Sequence, residues 1–540
     1  MNLFTAETKC LLVQPKFSCH SFWNYTDVCK IAGAKYPAPP LGLLTVAALL
    51  PASWKIKLVD ENVEKLTDDH LAWADVVMTG GMLPQQDGVL RIIGRARGLG
   101  KPVAVGGPDP TSQPEVYKEA EYLVLGEGEV TIPLFLADLK RGVERGVYKA
   151  EEKADMTRAV IPRFDLIKFS HYMHVGVQFS RGCPYNCEFC DVIELFGRKP
   201  RTKTADQVLR ELQYLYDLGY RGHVDFVDDN LIGNRTEVVA VLRAMRDWQE
   251  ERRYPFFFST EASLNLAKDE TLLTLMQDND FRYVFIGIET PEEHILDKTS
   301  KQLAVNVTVA EAIKTISSYG MIVNGGFIIG FDNEDESTAR NLISCIQDTG
   351  ICMAMVGTLY ALPNTQLTRR LEREGRLLSN GSTLVDAGRD VDQTSSGLNF
   401  VPSRPCLDIL RDYVQVLEHI YTPKNYYARV ARTGANLRSR NKYRPSGRAK
   451  LKMLWAFVKT SSHVSVKPSV AFFYWITFFR FLFFSPRSLV ATVSLAAMYI
   501  HFSKQSRFII EDITKRIADL RTVGTIPRER AAYAADARKP

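Results

Sequence analysis

Short apolar runs alternate with longer stretches of helical character through residues 10–139. Cys10-Leu-Leu-Val13, Ile56-Lys-Leu-Val-Asp60, Asp75-Val-Val-Met-Thr79, Val103-Ala-Val105 and Tyr122-Leu-Val-Leu125 read as strands. Strand and helix in alternation predict a doubly wound, Rossmann-like parallel sheet. Sheets of this kind take ligands at the carboxyl ends of their strands, where the chain has Gly80-Gly81-Met82, Gly106-Gly107-Pro108 and Gly126-Glu127-Gly128. Glycine lets backbone come close to a ligand. Gly80, Gly81, Met82, Gly106, Gly107 and Gly126 are therefore the candidate binding positions of this segment.

From about residue 171 to 367 strand and helix repeat six times, with strands expected near 175–179, 223–228, 255–260, 283–289, 322–329 and 353–361. Six repeats predict a partial (β/α)6 barrel whose reacting groups stand at the strands' carboxyl ends. Residues 369–430 read as helices, including Leu371 to Leu378 and Cys406 to Tyr421, with a polar loop through Gly381 and Thr394-Ser-Ser-Gly397. They are expected to cover the barrel's open side. The divisions that follow are a sheet domain at 1–148, a linker at 149–170, the barrel at 171–367, a helical domain at 368–430 and a tail at 431–540.

A chain of 540 residues exceeds a single core and predicts two to four domains. With 46% apolar and 24% charged residues it has the composition of a folded protein. Six of the nine cysteines are scattered and no secretory signal precedes them, so a reducing, cytoplasmic setting is expected. The net charge of +6 hides an asymmetry. His419 to Ile510 holds sixteen Lys or Arg and no Asp or Glu, leaving 52 basic against 62 acidic residues elsewhere.

Within that basic region lie two apolar segments, Val470 to Phe484 and Leu489 to Ile500, broken at Pro486. Neither reaches the ~20 residues of a membrane-spanning helix. With Arg480 and Arg487 beside them, they predict a helical hairpin lying in one leaflet or at the interface, held peripherally or monotopically on the cytoplasmic face by anionic lipid. A buried helix pair is the plainer alternative. Nucleic-acid binding through Arg438 to Lys452, which includes Tyr443, is a third, but polynucleotide has no use for a run of phenylalanines, so no nucleic-acid partner is expected.

The chemistry is announced by Cys183, Cys187 and Cys190, in a loop after the strand-like Val175 to Phe179. Structural zinc takes four protein ligands, whereas three thiolates leave one metal valence to something other than protein. A zinc knuckle or three buried thiols are the plain alternatives. The run Cys183-Pro-Tyr-Asn-Cys187-Glu-Phe-Cys190 resembles the signature of the radical S-adenosylmethionine (radical SAM) superfamily. The resemblance implies a 4Fe-4S cluster on the three thiolates. The fourth iron is chelated by S-adenosylmethionine, which is cleaved to a hydrogen-abstracting deoxyadenosyl radical with an electron from a donor such as ferredoxin or flavodoxin.

The same resemblance assigns further cofactor contacts. Asp228, Asp229 and Asn230, after the second barrel strand, fall where the family receives the amino group, although helix capping by Asp229 or Asn230 is an open alternative. Glu289 falls at the ribose position. Gly326, Ile328 and Gly330 resemble the strand along the adenine, with Phe189 touching the adenine from the cluster loop and Leu362-Pro-Asn-Thr365 resembling a closing loop. Glu261 points toward the site by position with its role open, and Tyr185 and Asn186 shape the loop.

A Rossmann-like domain before such a core resembles the cobalamin-binding domain of cobalamin-dependent radical SAM enzymes, a group that includes the hopanoid C-2 methylases. The segment Ser18-Cys-His20-Ser-Phe-Trp23 lacks the Asp and Gly of the histidine-ligating pattern, so His20 is not expected to bind cobalt. A domain serving only as a docking wall, or a second cluster on Cys10, Cys19 and Cys29, are the alternatives. The function expected is methylation of an unactivated or sp2 carbon of a hydrophobic small molecule, a lipid, hopanoid or tetrapyrrole. A radical SAM cyclase or carbon–carbon bond-forming enzyme without methyl transfer is the rival, followed by a tRNA-modifying enzyme or a non-catalytic membrane scaffold.

Overall fold

The computed structural model describes residues 7–17, 21, 24–298, 308–378, 394 and 398–523. Six strands, β1 (Lys9–Gln14), β2 (Lys55–Asp60), β3 (Val76–Gly80), β4 (Val103–Gly106), β5 (Tyr122–Leu125) and β6 (Gly146–Lys149), pair in parallel in the order β2-β1-β3-β4-β5-β6. The first five lie on the expected apolar runs; β6 is half exposed and carries none. Alternate residues of a strand face opposite sides of its sheet. Leu11 and Val13 of β1 accordingly join one buried layer, and Cys10 and Leu12 the other. Helices cover both faces, and strand order reverses between β1 and β3, the switch point where doubly wound sheets bind ligands. Cys10 and Cys29 are buried thiols, while Cys19 and His20 lie outside the described residues.

The second sheet contains β7 (Val175–Val177), β10 (Gly222–Phe226), β11 (Phe256–Ala262), β12 (Phe281–Glu289), β13 (Ile322–Ile329) and β14 (Ala354–Thr358), in the order β14-β13-β12-β11-β10-β7, all parallel. A small antiparallel pair, β8 (Ser180–Arg181) with β9 (Arg201–Thr202), sits beside the cluster loop. The expected mixed α/β architecture, with a Rossmann-like domain and a partial six-stranded barrel, is what the chain forms. Burial alternates along β10 and β12. One face of each strand packs under helices while the other lines the barrel's interior.

After the barrel, the helix expected through Leu378 spans Gln366–Arg373 and stops before Gly375, whose φ of +67° is a left-handed helix ending suited to glycine. The helix Cys406–Ile420 covers the edge of β14, with Tyr413 Oη donating to Val356 O and Tyr421 Oη donating to Ala354 O. These bonds satisfy an edge that would otherwise be open to pairing. Thr394 is described, whereas Gly381 and 395–397 of the polar loop are not.

The tail consists of three helices, Gly447–Ser465, Pro468–Phe484 and Leu489–Val523. The hairpin expected in a leaflet is corrected in its second arm. Leu495, Tyr499, Ile500, Phe502, Ile509 and Ile513 are buried, and Tyr426 Oη donates to Leu495 O from the helix Pro423–Asn436. Aromatic rings from two preceding helices reach this face, so it closes the protein's own core. Among the described residues no helix is long and apolar enough to cross a membrane. Apart from Val490 at its start, the tail's exposed large apolar side chains lie before this helix.

Candidate active site

Two aspartates at the end of β10 shape the backbone that leads into the cysteines. Asp228 is buried; its carboxylate accepts hydrogen bonds from Phe179 N at 3.1 Å and from the backbone and hydroxyl of Ser180. Asp229 accepts from Gly182 N at 2.9 Å. Neither Asp229 nor Asn230 caps the following helix, Arg235–Glu251, because Asn234 does so by accepting from Glu237 N. Asn230 is buried, and its Oδ1 has no hydrogen-bond partner. Gly182 has φ +96°, and a Cβ there would stand 2.9 Å from Gly197 O, so the turn into Cys183 requires glycine.

The far side of the loop is clamped by the helix Gln366–Arg373. Thr365 caps it, Leu367 N donates to Glu188 O at 2.7 Å, and Gln366 donates to Asn186. Arg370 grips both oxygens of Glu188 and also Asp332, which Arg376 holds in turn. Tyr185 donates to Ser263 Oγ and accepts from Asn265. Phe189 meets Phe331 edge-on with centroids 5.7 Å apart. Burial, then Asp191 and the other two cysteines, raise the Cys190 thiol above its ordinary value. Among the described residues no three His, Cys, Asp or Glu converge where one metal ion could sit. A cluster takes one thiolate per iron, and three thiolates from one loop would leave its fourth iron open.

Burial alone would raise the Asp332 carboxyl, but the hydrogen bonds and charge of Arg376, with those of Arg370, bring it down to about 2. Its ordinary value is about 3.9. The folded value being the lower, the clamp's contribution is complete above about pH 4 and is lost as pH falls toward about 2. Thermal unfolding followed across that interval is expected to show Asp332→Asn losing about 2 kcal/mol less stability on acidification than the parent protein. Parallel acid profiles would overturn this assignment.

On the opposite wall, Glu289 ends β12 with φ +64°, at a point where the register with β13 shifts. A left-handed glutamate costs about 1–3 kcal/mol and persists only where its surroundings enforce it, commonly at functional sites. Gly326 is required by packing, since a Cβ would lie 2.8 Å from the Phe285 ring. Gly330 has φ +111° and donates its N–H to the buried Glu334. Ile328 lies between them on β13, half buried.

A chamber of about 1950 Å³ extends between the two sheets and the tail. Gly80, Gly81, Met82, Gly106, Gly107 and Gly126 all line it, although none of the three cysteines does. Only part of their glycine content faces a ligand. Cβ atoms at Gly80 and Gly106 would strike Gly106 O at 2.0 Å and Val124 O at 2.7 Å, so strand packing demands these two. Gly126, with φ +88°, has open space where a Cβ would stand. Ligand sites of ordinary size occupy about 300–1,000 Å³, so this chamber has room for a large cofactor and a second molecule. The buried Tyr36 Oη and Asn324 Oδ1 on its wall have no hydrogen-bond partner, as expected where a polar ligand supplies one.

The barrel's inner wall carries a polar group that periodicity does not single out. Ser259 Oγ donates to Asp225 and stands 2.7 Å from His223 Nε2, whose ring is 5.0 Å from that of His174. All four residues line the chamber. Burial lowers both histidines, keeping them neutral. Glu261, on the same wall, is pushed up to about 8 by burial and by Asp225, Asp229 and Asp228. Its surroundings thus favour the neutral acid, and among the described residues no arginine pairs with it.

Between the sheets, Arg181 binds Glu127 at 2.7 Å and Glu129 at 2.9 Å, and Arg201 binds Glu127 at 2.9 Å. These pairs join the loop after β5 to the strand leading into Cys183. Sequence reading marked the glycines of that loop and missed its glutamates, because charge partners 52 to 74 positions away leave no local signal.

The B12 binding domain profile matches residues 29–136, the Radical SAM superfamily profile residues 177–346, and a Domain of unknown function (DUF4070) residues 365–515. The chain is 40% identical over 516 residues to an uncharacterized methyltransferase of Synechocystis sp., spanning 95% of this chain and 94% of that one. It is 40% identical over 344 residues to the hopanoid C-2 methylase of Rhodopseudomonas palustris, spanning 63% and 65%. Likeness therefore continues into the tail, well past the last motif at Leu362 to Thr365. Among solved structures, the cobalamin-dependent radical enzyme OxsB with aqua-cobalamin bound shares the fold, with a TM-score of 0.57 at 15% identity over 98% of this chain and 83% of that one. By its cysteine trio, its two sheets and these relatives, the chain belongs to the B12-binding branch of the radical SAM superfamily, as a methyltransferase that uses a 4Fe-4S cluster, S-adenosylmethionine and cobalamin.

Proposed function

We propose that this methyltransferase acts on an unactivated or sp2 carbon of a hydrophobic molecule, a hopanoid-like lipid or a tetrapyrrole, while resting on the cytoplasmic face of a membrane. The observation that carries the reading is one chamber whose walls pass from glycine loops through barrel interior to the apolar helices of the tail. Similarity to the hopanoid C-2 methylase supports the lipid class. The exposed aromatic side chains of the tail, set among cations, support the membrane location.

When bound, the cluster with S-adenosylmethionine supplies the hydrogen-abstracting radical, and cobalamin supplies the methyl group. Cys183, Cys187 and Cys190 hold the cluster through three thiolates. Asp229 and Asn230 receive the ammonium group of S-adenosylmethionine, a role suited to a carboxylate beside an unpartnered amide oxygen. Asp228 spends its oxygens on Phe179 and Ser180 and so positions the loop. Glu289 takes the ribose hydroxyls, and Phe189 with Gly326, Ile328 and Gly330 flanks the adenine. Gly80, Gly81, Met82, Gly106, Gly107 and Gly126 form the cobalamin cradle. Glu261 offers a neutral hydrogen-bond donor to substrate, which avoids placing a bare charge in an apolar chamber. The electron comes from a low-potential protein such as ferredoxin or flavodoxin.

Incubating the reconstituted enzyme with methyl-labelled S-adenosylmethionine and a total lipid and pigment extract tests this reading. Label is expected in a product that partitions into organic solvent. Label confined to water-soluble products, with no labelled lipid or pigment, would overturn the substrate class.

A further inference from the structure

The tail helices wall the chamber on one side and face outward on the other. Phe457 and Thr460 of Gly447–Ser465, Phe478 of Pro468–Phe484, and Val493 and Met498 of Leu489–Val523 line the interior. On the outer side Trp455, Phe472, Ile476, Phe479 and Phe483 are exposed. On the tail, Met453, Leu454 and Val490 line the chamber while being 45%, 57% and 49% exposed, and Met82 and Val227 from the two sheets do so at 38% and 37%. Side chains that touch both a cavity and the exterior mark the rim of an opening.

We propose that this rim is a portal through which an apolar substrate passes from a lipid leaflet into the chamber without entering bulk water. The inference deepens the function proposed above and rests on it. The occupant of the outer face is an anionic bilayer surface. Between His419 and Ile510 the chain carries sixteen Lys or Arg and no Asp or Glu; Arg429 is buried and Arg432, Lys442 and Lys504 pair with carboxylates elsewhere, and the remaining cations match acidic headgroups around an apolar insertion. A second copy of the chain, equally cationic there, would bring like charges together. The chamber exceeds the volume of an ordinary ligand site. A cofactor at the glycine loops therefore leaves the end walled by Phe457 and Phe478 for a second, apolar molecule.

The experiment uses full-length, cobalamin-loaded protein and vesicles of phosphatidylglycerol and phosphatidylcholine carrying dehydroergosterol, a fluorescent apolar polycycle. The parent protein is expected to float with the vesicles and withdraw the probe. The double variant Leu454→Trp/Val490→Trp, which fills the rim with apolar bulk, is expected to float equally but to take up the probe at least tenfold more slowly. Leu454→Ala/Val490→Ala, which widens the rim, is expected to take it up at least as fast as the parent. Circular dichroism and cobalamin absorbance establish that each variant is folded. Equal uptake rates for the tryptophan variant and the parent overturn the portal and leave methyl transfer to an apolar acceptor standing. A parent protein that fails to float, or that self-associates through this face instead, overturns the leaflet as the source. Methylation of a detergent-dissolved acceptor then reports separately on the substrate class.

Discussion

Replacing Cys187 with alanine is expected to abolish both the iron–sulfur absorption of the reconstituted protein and its formation of 5′-deoxyadenosine. On the assignment proposed above three thiolates hold three corners of the cluster, and no fourth cysteine stands in this loop to take over a lost corner. Removing an outer partner of a metal ligand costs roughly 10–100-fold in affinity or activity, so losing a ligand itself should exceed that. The fold should survive, because the clamp on this loop runs through Glu188 and its neighbours. Cobalamin binding, built on the other sheet, is the internal control, and Cys10→Ala, in the interior of β1, should leave the cluster intact. Retained S-adenosylmethionine cleavage in Cys187→Ala, or stoichiometric zinc in the parent protein after anaerobic reconstitution, would remove the basis of the cluster assignment.

Arg181→Met is expected to lower stability by about 3–5 kcal/mol, the usual result of stranding a buried charge by deleting its partner. Glu129 loses its arginine outright, while Glu127 keeps Arg201. Burial by itself would raise the Glu129 carboxyl, and the hydrogen bonds and charge of Arg181 more than reverse this, leaving it below its ordinary value. Because the folded value is the depressed one, the stabilisation is present above the unfolded value of about 4.3 and fades as pH falls through the folded one. The variant should therefore lose most, relative to the parent, near neutrality. Arg181 also lies two residues before Cys183 and ties that strand to the loop at Gly126, making it a positioning residue for the two halves of the site. Deoxyadenosine formation should persist while methylated product falls, so the ratio of the two rises. A variant that melts like the parent with an unchanged product ratio would show the interface to be held by other contacts. Glu129→Leu added to Arg181→Met should restore part of the stability, since an apolar pair replaces a stranded charge.

Several readings needed the packed structure to sort them, for one kind of reason. Asp228, Asp229 and Asn230 form an acidic strand end in sequence and look interchangeable. Their tasks diverge because β10 ends at Phe226 and the three lie in the loop that follows, where no strand alternation orders them: Asp228 turns to Ser180, Asp229 to Gly182, and Asn230 is left with a free oxygen. Gly80 and Gly106 line the chamber, and the neighbouring backbone also leaves no room for a Cβ at either. The apolar segment from Leu489 reads as one arm of a membrane hairpin, and tyrosines 426 and 499 instead bind it into the core. Hydropathy reports that a face is apolar and not what covers it.

Alone, the order of residues determined the two α/β domains and the cofactor set. Strand periodicity and the spacing of Cys183, Cys187 and Cys190 are local properties, complete within a few residues of each other. Tertiary structure decided how the parts share work: the Arg181 bridge between the sheets, the row from His174 to Ser259, and a chamber closed by helices about 200 residues beyond the strands they face. Such arrangements depend on strand register and on which faces pack together, and these are set by the whole core at once, with no single stretch of chain encoding them.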